Sequence, residues 1–389
     1  MTLIRPKISV IIGFMVTVFL LFLAACGGNS KKSRPDALSK PVSISILPET
    51  ALVEAGARVT LNVTAQNTDF TVSVNPTYGN CVKSGYSAVC TPVATGTYDV
   101  IVIATADNTK TATARITVMV LADFNHWFYG INNDGLIAGS YYDNSADIVK
   151  AFVKDGGVYT IIDNPDSTGD TLIFGINDSG HILGSFDNGY FLKTDAGYID
   201  LEDYEDSEGS YLTHYTGINN SGLLVGYFED STGYTRGFIK NGSVFTVIEH
   251  PSAVHVCSAY LYCGTWLSGI NNSGSVAGAY GSSDGVYRGF VYDGEYYFTV
   301  DHPDSRAGNL INIYIGGIND SGLSAGYFWG SDGYSTGFTA LSDGGDFTPI
   351  EHPGTAGNGG GAHVLGVNNS GRIVGWFDAG GKARGFLID

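Results

Sequence analysis

The chain has 389 residues, enough for two domains with apolar cores of their own, and its formal charge at pH 7 is −18. This acidity excludes nucleic acid and anionic lipid surfaces as partners, because both are bound through lysine and arginine side chains that neutralise phosphate groups. Neutral and cationic ligands are compatible with the charge.

An export signal is predicted over residues 1–25. Arg5 and Lys7 precede an apolar segment that ends in Leu-Ala-Ala-Cys at Cys26. This box resembles the signal of bacterial lipoproteins, and the resemblance implies that Cys26 is lipidated and that the chain is cleaved before it. The alternative, an uncleaved membrane anchor, needs about 20 apolar residues, and this segment is shorter.

The same resemblance implies a location. Gly27 follows the cysteine, as in lipoproteins that Gram-negative cells sort to the outer membrane. We therefore expect an exported protein, anchored at the outer membrane or cell surface, that contacts the membrane through its lipid only. Residues 26–40 are predicted to form a flexible tether.

Short strands are predicted over residues 41–121. Apolar and polar residues alternate in segments such as Val59–Val63 and Tyr98–Val102, which is typical of half-buried strands in an antiparallel β-sandwich. The segment Thr95–Val100 resembles the penultimate strand of bacterial immunoglobulin-like modules, although the resemblance covers this strand only. It implies an immunoglobulin-like domain, which we expect to act as a rigid spacer.

Four cysteines remain besides Cys26. Their spacing and the oxidising compartment favour two local disulfides, Cys81–Cys90 and Cys257–Cys263. Two pairs of free thiols are the alternative.

A Gly-Ile-Asn or Gly-Val-Asn hairpin motif recurs six times between residues 122 and 389. Its copies lie 42 to 52 residues apart, and they begin at Gly130, Gly175, Gly217, Gly269, Gly317 and Gly366. This period and the tight Asn-x-Gly turns predict four-stranded antiparallel blades, so the fold class is all-β, with an immunoglobulin-like sandwich followed by a six-bladed β-propeller.

The order of strands within a blade follows from the connections. Only the links between blades are long, which places the Gly-Ile-Asn strand innermost. The glycine of this strand, and a second glycine on the following strand such as Gly226, are expected where adjoining sheets leave little room for side chains near the axis. The links therefore share one face of the propeller, here called the link face, and the Asn-x-Gly hairpins share the opposite one, the hairpin face. Val118–Phe124 is predicted to supply the fourth strand of the sixth blade; the alternative assigns this segment to the sandwich.

The repeat resembles the HAF repeat, an extracellular bacterial family with a Gly-Ile-Asn-x-x-Gly hairpin. The hairpin matches in all six units, but of the His-Ala-Phe tripeptide only the phenylalanine is common to them. The resemblance implies an extracellular location and no particular reaction.

Three patterns that could carry chemistry are weak. Gly333–Gly337 matches the Gly-x-Ser-x-Gly pattern around Ser335 but lies between two strands, without the helix that a nucleophile elbow requires. The Glu/Asp-His-Pro triplets at 249–251, 301–303 and 351–353 belong to different blades, so they are predicted to cap strands rather than to share a metal. We expect no catalytic residue, no metal and no cofactor, with calcium at acidic loops left open.

A ligand site is predicted on the link face. Tyr260, Tyr262 and Trp266 surround the expected Cys257–Cys263 bridge, and a pre-ordered loop with exposed aromatic rings suits sugar rings or protein side chains. Further aromatic residues are expected on the same face: Tyr204, Tyr211, Trp329 and Tyr334. Ordinary packing between blades is the alternative.

These patterns predict a monomeric binding or scaffold protein whose partner is a glycan or a surface protein. An enzyme that acts on extracellular polysaccharide is the alternative, since propellers also support such sites. A purely structural component of the cell envelope is a third reading.

Overall fold

A computed structural model describes residues 40–389 apart from 76, 78, 120–124, 163–168, 188, 256–262, 303–311, 331–332, 343–346 and 351–360. The described residues form strands and turns without a helix, which confirms the all-β class. None of them belongs to a helix long and apolar enough to cross a lipid bilayer. The predicted signal, Cys26 and most of the tether lie outside the described residues.

Two packed sheets form the N-terminal domain. Their strands are β1 (Ser43–Leu47), β2 (Thr50–Glu54), β3 (Val59–Gln66), β4 (Phe70–Ser73), β5 (Gly79–Ser84), β6 (Ser87–Pro92), β7 (Gly96–Ala104) and β8 (Thr111–Met119). One sheet has the order β1-β3-β6-β5, and the other includes β4-β7-β8-β2. Both sheets contribute side chains to one buried core, which includes Leu61 from the first sheet and Val100 and Ile116 from the second.

The sandwich differs from the expected antiparallel arrangement at one pair of strands. The chain passes from one sheet to the other between β1 and β2, and β2 then runs parallel to β8, with Thr50 opposite Arg115. The Cys81–Cys90 disulfide joins β5 to β6 with an S–S distance of 2.03 Å, as predicted. Cys263 is also disulfide-bonded, and its predicted partner Cys257 lies outside the described residues.

Six sheets of consecutive strands follow. Blade 1 has β9 (His126–Ile131), β10 (Ile137–Asp143), β11 (Ile148–Asp155) and β12 (Val158–Ile162); blade 2 has β13 (Thr171–Ile176), β14 (Ile182–Phe186), β15 (Gly189–Thr194) and β16 (Gly197–Leu201). A short hairpin, β17 (Tyr204–Asp206) with β18 (Gly209–Tyr211), interrupts the next link. Blade 3 has β19 (Thr213–Ile218), β20 (Leu224–Glu229), β21 (Thr235–Asn241) and β22 (Val244–Ile248).

The last three blades repeat this order. Blade 4 has β23 (Thr265–Ile270), β24 (Val276–Gly281), β25 (Tyr287–Tyr292) and β26 (Tyr297–Val300); blade 5 has β27 (Asn312–Ile318), β28 (Leu323–Trp329), β29 (Ser335–Leu341) and β30 (Thr348–Ile350). Blade 6 has β31 (Ala362–Val367), β32 (Ile373–Asp378) and β33 (Ala383–Ile388). Each first strand contacts the first strand of the next blade, and β31 contacts β9, so the six blades close into a ring.

Two rings of hydrogen bonds join the hairpins. In the inner ring, the side-chain Nδ2 of each repeat asparagine donates to the backbone carbonyl of its counterpart in the next blade at 3.0–3.2 Å. Its members are Asn132, Asn177, Asn219, Asn271, Asn319 and Asn368. In the outer ring, each backbone N–H donates to the side-chain Oδ1 of the next member at 2.8–2.9 Å. Its members are Asn133, Asp178, Asn220, Asn272, Asp320 and Asn369.

The pairing of β8 contradicts the predicted closure. Val118 and Met119 belong to β8 of the sandwich, where both pair with β2 and Val118 also pairs with β7. The prediction that Val118–Phe124 completes blade 6 is therefore wrong for these two residues; residues 120–124 lie outside the described part. Asn368 and Asn132 instead join the last blade to the first with the same bond that joins every other pair. This bond is not predicted by the sequence pattern, because the Asn-x-Gly motif indicates a tight turn and no contact between blades.

The sandwich is joined to the propeller by a shared sheet. β2 pairs with β12, the outermost strand of blade 1, so that one eight-stranded sheet runs from β4 to β9. The Glu54 backbone N–H donates to the Gly157 carbonyl at 2.9 Å, and the Tyr159 hydroxyl donates to Glu54 Oε1 at 2.7 Å. Leu52 packs in the same apolar cluster as Phe152.

Candidate functional site

Every innermost strand contains a β-bulge at the residue before its repeat glycine. The register skips this residue in all six blades, at Tyr129, Phe174, Thr216, Ser268, Gly316 and Leu365. A bulge leaves one residue unpaired and redirects its side chain. All six bulge residues line a single cavity, so the repeated bulge builds one end of it.

The cavity has a volume of about 720 Å³ and draws residues from all six innermost strands, which places it on the propeller axis. Its wall is formed by one repeated cross-strand pair in blades 3 to 6. These pairs are His214 with Tyr227, Trp266 with Ala279, Tyr314 with Tyr327, and His363 with Trp376. Three of the four tryptophans of the chain therefore line the cavity: Trp266, Trp329 and Trp376.

The cavity lies at the link face. Each innermost strand starts at a link and ends at a hairpin, and the wall residues precede the bulge along the strand. Beyond the bulge, the repeat glycines bring the strands into backbone contact: a Cβ at Gly269 would lie 3.1 Å from the Gly317 Cα, and one at Gly366 would lie 3.2 Å from the Gly130 Cα. None of the six repeat glycines lines the cavity.

The described lining carries no formal charge, because it contains no Lys, Arg, Asp or Glu. Its polar groups are phenol hydroxyls, indole N–H groups, two imidazoles, small hydroxyls and the carboxamide of Asn312. The Thr216 hydroxyl donates to the Leu267 carbonyl of the neighbouring blade at 2.7 Å. The Ser268 hydroxyl makes the corresponding bond to the Ile315 carbonyl. Aromatic faces with scattered hydrogen-bonding groups suit an uncharged polar ligand.

His363 is a fixed part of the wall. Its ring stacks on Trp376, with centroids 4.0 Å apart, and its Nε2 lies 3.0 Å from the Ser335 hydroxyl oxygen. Burial lowers the pKa of His363 to about 4. Although a serine beside an imidazole resembles a nucleophile and its base, Ser335 is only 5% exposed and does not line the cavity. The pair therefore orients His363 rather than presenting a nucleophile.

His214 is held in a similar way in blade 3. Its ring stacks on Tyr227 at 4.8 Å, and its Nδ1 lies 2.9 Å from the Tyr190 hydroxyl. Burial lowers the pKa of His214, while the nearby carboxylates of Asp203 and Glu229 act in the opposite direction. Blades 3 and 6 are three blades apart in a ring of six, so the two histidines stand on opposite sides of the cavity.

Tyrosine hydroxyls converge inside the cavity. Tyr314 lies deep in the molecule, yet 37% of its surface is accessible because it faces the cavity. Burial raises the pKa of Tyr314, and the neighbouring hydroxyls of Tyr327, Tyr227 and Tyr129 raise it further. These hydroxyls stay protonated at neutral pH and can both donate and accept hydrogen bonds.

The predicted site residues fall into three groups. Trp266 and Trp329 line the axial cavity, whereas Tyr260 and Tyr262 lie outside the described residues. Tyr334 is 47% exposed in the connection after β28, at the same end of blade 5 as Trp329.

Tyr204 and Tyr211 instead belong to a second cavity beside blade 3. This cavity measures about 530 Å³, and Tyr204 stacks on Phe228 with centroids 4.1 Å apart. Carboxylates line the rest of it, and Arg236 is paired with both Asp230 and Glu249. The structure therefore separates these two tyrosines from the axial site.

The histidine of the first Glu-His-Pro triplet is part of the packing. His250 is buried and stacks on Tyr280, with ring centroids 3.6 Å apart, and burial lowers its pKa to about 4. The His302 ring also packs against an aromatic ring, that of Phe328, but in a tilted arrangement with centroids 4.2 Å apart. The third triplet lies outside the described residues. Within the described part of the chain, no three His, Cys, Asp or Glu residues are arranged to hold a metal ion.

The axial cavity is not predicted by the sequence pattern, because the glycines of the innermost strands indicate little room near the axis. The informative signal lies one and three residues before each repeat glycine, where aromatic residues and histidine are frequent: Tyr129, Phe174, Trp266, Tyr314, His214 and His363. Without the bulge, these two positions cannot be assigned to the axis from the alternation of a regular strand.

Several solved structures resemble this chain at low sequence identity. No protein-family model and no curated protein matches it. A lectin of Aleuria aurantia in complex with alpha-methyl-L-fucoside is similar at 11% identity and a TM-score of 0.37, over 81% of this chain and 97% of the lectin.

Two Bacteroides thetaiotaomicron proteins are similar to the same degree. One, of unknown function, has 13% identity and a TM-score of 0.38, over 91% of this chain and 99% of its own. The other, a quinonprotein alcohol dehydrogenase-like protein, has 10% identity and a TM-score of 0.37, over 91% and 93%. At these values, the similarities carry no functional information about this chain.

Proposed function

We propose that the protein binds a glycan in the axial cavity, without catalysis, as an exported monomer anchored to the membrane through a lipid on Cys26. The observation that carries this proposal is the aromatic, formally uncharged cavity at the link face. A sugar ring has an apolar face that stacks on Trp and Tyr and a rim of hydroxyls that hydrogen-bonds to phenols and imidazoles.

The size and rigidity of the site support this proposal. A cavity of about 720 Å³ lies in the range of small-molecule sites, roughly 300–1,000 Å³. The rings are held before a ligand arrives, by the His363–Trp376 stack and the Tyr190–His214 bond. Pre-ordered side chains lose little conformational entropy on binding.

The enzymatic alternative has less support. Glycoside hydrolysis generally uses two carboxyl groups that flank the bond to be broken. The described lining offers no carboxyl group for this role.

A glycan array tests the proposal. The purified protein is compared with a Trp329→Ala variant, whose side chain is 45% exposed and therefore contributes little to folding. Loss of a stacking anchor should weaken binding about 30-fold, corresponding to about 2 kcal/mol. The matched control is Tyr296→Ala, because this aromatic side chain is 58% exposed in the hairpin between β25 and β26, on the face opposite the cavity.

Two outcomes would contradict the proposed site. The protein would bind no glycan on the array, or the Trp329→Ala variant would bind as well as the Tyr296→Ala variant. Consumption of a bound oligosaccharide, measured by chromatography after incubation, would favour the enzymatic alternative.

The anchor is tested separately. A Cys26→Ser variant should lose labelling by a palmitate analogue and leave the membrane fraction. Equal labelling of the variant and the parent would contradict lipidation at Cys26.

A further inference from the structure

The mouth of the cavity is marked by one repeated position, three residues after the second glycine of each blade. In blade 5 this position is Trp329, which lines the cavity. The other blades carry Tyr142, Asp187, Glu229, Gly281 and Asp378 there. Since side chains two residues apart in a strand share a face, Glu229 lies on the same face of β20 as the wall residue Tyr227.

A further carboxylate stands beside blade 3. Asp203 Oδ1 accepts a hydrogen bond from the Thr213 backbone N–H at 3.0 Å, next to the wall residue His214. Asp203 and Glu229 both act on the imidazole of His214, and Asp203 also acts on the hydroxyl of Tyr190. The two carboxylates therefore make the electrostatic potential at the wall more negative, although their side chains do not line the cavity.

Three cations on third strands are paired with carboxylates. Lys150 pairs with Asp143 at 2.8 Å, Arg236 with Asp230 at 2.9 Å, and Arg288 with Asp301 at 2.8 Å. In blade 6, the cations Lys382 and Arg384 are close to Asp378 in the sequence, so this part of blade 6 carries no net negative charge. The acidic side of the mouth is therefore at blades 2 and 3, with Asp187, Asp203 and Glu229.

We infer that the cavity selects glycans that carry free amino groups, such as oligomers of glucosamine, over acidic glycans. This inference rests on the proposed function and narrows its ligand class. A protonated amino group is attracted by the carboxylates at blades 2 and 3 and by the faces of Tyr and Trp. A uronate or sulfated sugar meets repulsion there, since the described lining contains no Lys or Arg to pair with it.

Three tetrasaccharides of similar size test the inference on the full-length protein: glucosamine, N-acetylglucosamine and galacturonate tetramers. Binding is followed by tryptophan fluorescence, because three tryptophans line the cavity. At about pH 6, where primary amines are protonated, the glucosamine tetramer should bind at least about tenfold tighter than the acetylated one. This difference should shrink at about 1 M salt, where exposed charges are screened.

Isosteric variants test whether Glu229 and Asp203 contribute to binding of the amino sugar. Glu229→Gln and Asp203→Asn should each weaken binding of the glucosamine tetramer about three- to fivefold and leave binding of the acetylated tetramer unchanged. Asp203→Asn keeps the oxygen that accepts the bond from Thr213. Asp134→Asn, an exposed carboxylate on the hairpin face, is the matched control and should have no effect.

The outcomes separate this inference from the proposed function. Tighter binding of the acetylated or acidic tetramer, or equal effects of Glu229→Gln and Asp134→Asn, overturns the preference for amines. If none of the tetramers binds while Trp329 is needed for another glycan on the array, the preference is overturned and the proposed function stands. If no glycan binds in either experiment, both are overturned.

Discussion

A single glycine shows how tightly each blade is built. A Cβ at Gly226 would collide with the His214 carbonyl oxygen and would lie 2.8 Å from the Phe238 ring. The same collision with an inner-strand carbonyl occurs at Gly139, Gly184, Gly278, Gly326 and Gly375. Phe238 and its five counterparts stand directly opposite these glycines in the third strand. This explains why phenylalanine is the part of the tripeptide common to all six repeats.

Gly226→Val should therefore be far more destabilising than Gly222→Asn. The valine side chain would overpack the region around the bulge and lower the free energy of unfolding by about 1–3 kcal/mol or more. Gly222 has a φ of +80° with open space around it, and asparagine tolerates this left-handed geometry. Equal thermal midpoints for the two variants would contradict the account. The atoms that crowd Gly226 belong to its own blade, whereas the sequence pattern predicts crowding between adjoining sheets.

Two histidines make stability depend on pH. Burial lowers the pKa of His250 and of His363 to about 4, below the value near 6.5 of an unfolded chain. The unfolded state therefore takes up the proton first, so the free energy of unfolding is unaffected above about pH 7 and falls as the pH drops from 6.5 towards 4. Full protonation of His250 should cost up to about 3 kcal/mol.

Chemical denaturation at several pH values checks this dependence. His250→Phe preserves an aromatic ring beside Tyr280 and removes the titrating group. The variant should lose less stability between pH 7 and pH 4 than the parent does. Parallel curves for the two proteins would show that His250 does not contribute.

At the scale of elements, the hairpin asparagines join the blades. The Asn219 side chain donates to the Asn271 carbonyl at 3.0 Å and accepts from the Leu223 backbone N–H at 2.9 Å. Asn219→Ala should cost at least about 2 kcal/mol, because it leaves buried backbone groups unpaired. Asn220→Ala, at an exposed position of the outer ring, should cost less than about 1 kcal/mol.

Thermal unfolding of both variants measures the difference. A similar loss at the two positions would mean that the inner ring contributes no more than the exposed outer one. The folded content of each variant is confirmed by circular dichroism before the comparison.

Element boundaries could be predicted from the sequence, whereas contacts at the axis could not. The Asn-Ser-Gly turns fix the hairpins locally, because they require residues that tolerate positive φ. The bulge at Thr216 or Leu365 has no such signature, since any residue type can occupy it. Of the residues predicted to bind a ligand, Trp266 and Trp329 line the axial cavity, whereas Tyr204 and Tyr211 line a different one.

At the scale of the whole molecule, the shared sheet should couple the two domains. Gly157→Leu would place a side chain against Ala57 and separate β12 from β2. We expect the parent to unfold in one calorimetric transition and the variant in two, because the sandwich and the propeller have separate cores. The matched control is Gly156→Asn, at a φ of +55° with open space around it, which should keep one transition. Two transitions in the parent would contradict the coupling.

The pairing of the sandwich with blade 1 could not be predicted from the sequence. The pairing of Leu52 with Tyr159 joins segments more than a hundred residues apart. Neither strand has a sequence pattern that identifies its pairing partner, because alternation predicts a half-buried strand and not the strand beside it. The same limit led to the wrong assignment of Val118.

The bond from Asn368 to Asn132 also has a consequence for folding. Each of the other five bonds in the inner ring joins repeats that are neighbours along the chain, whereas this one spans 236 residues. When blades form in chain order, they can stack one upon another, but the first has no neighbour on its other side until the sixth has folded. An intermediate with fewer blades is then an open arc, and the cavity acquires its full wall only when His363 and Trp376 are in place.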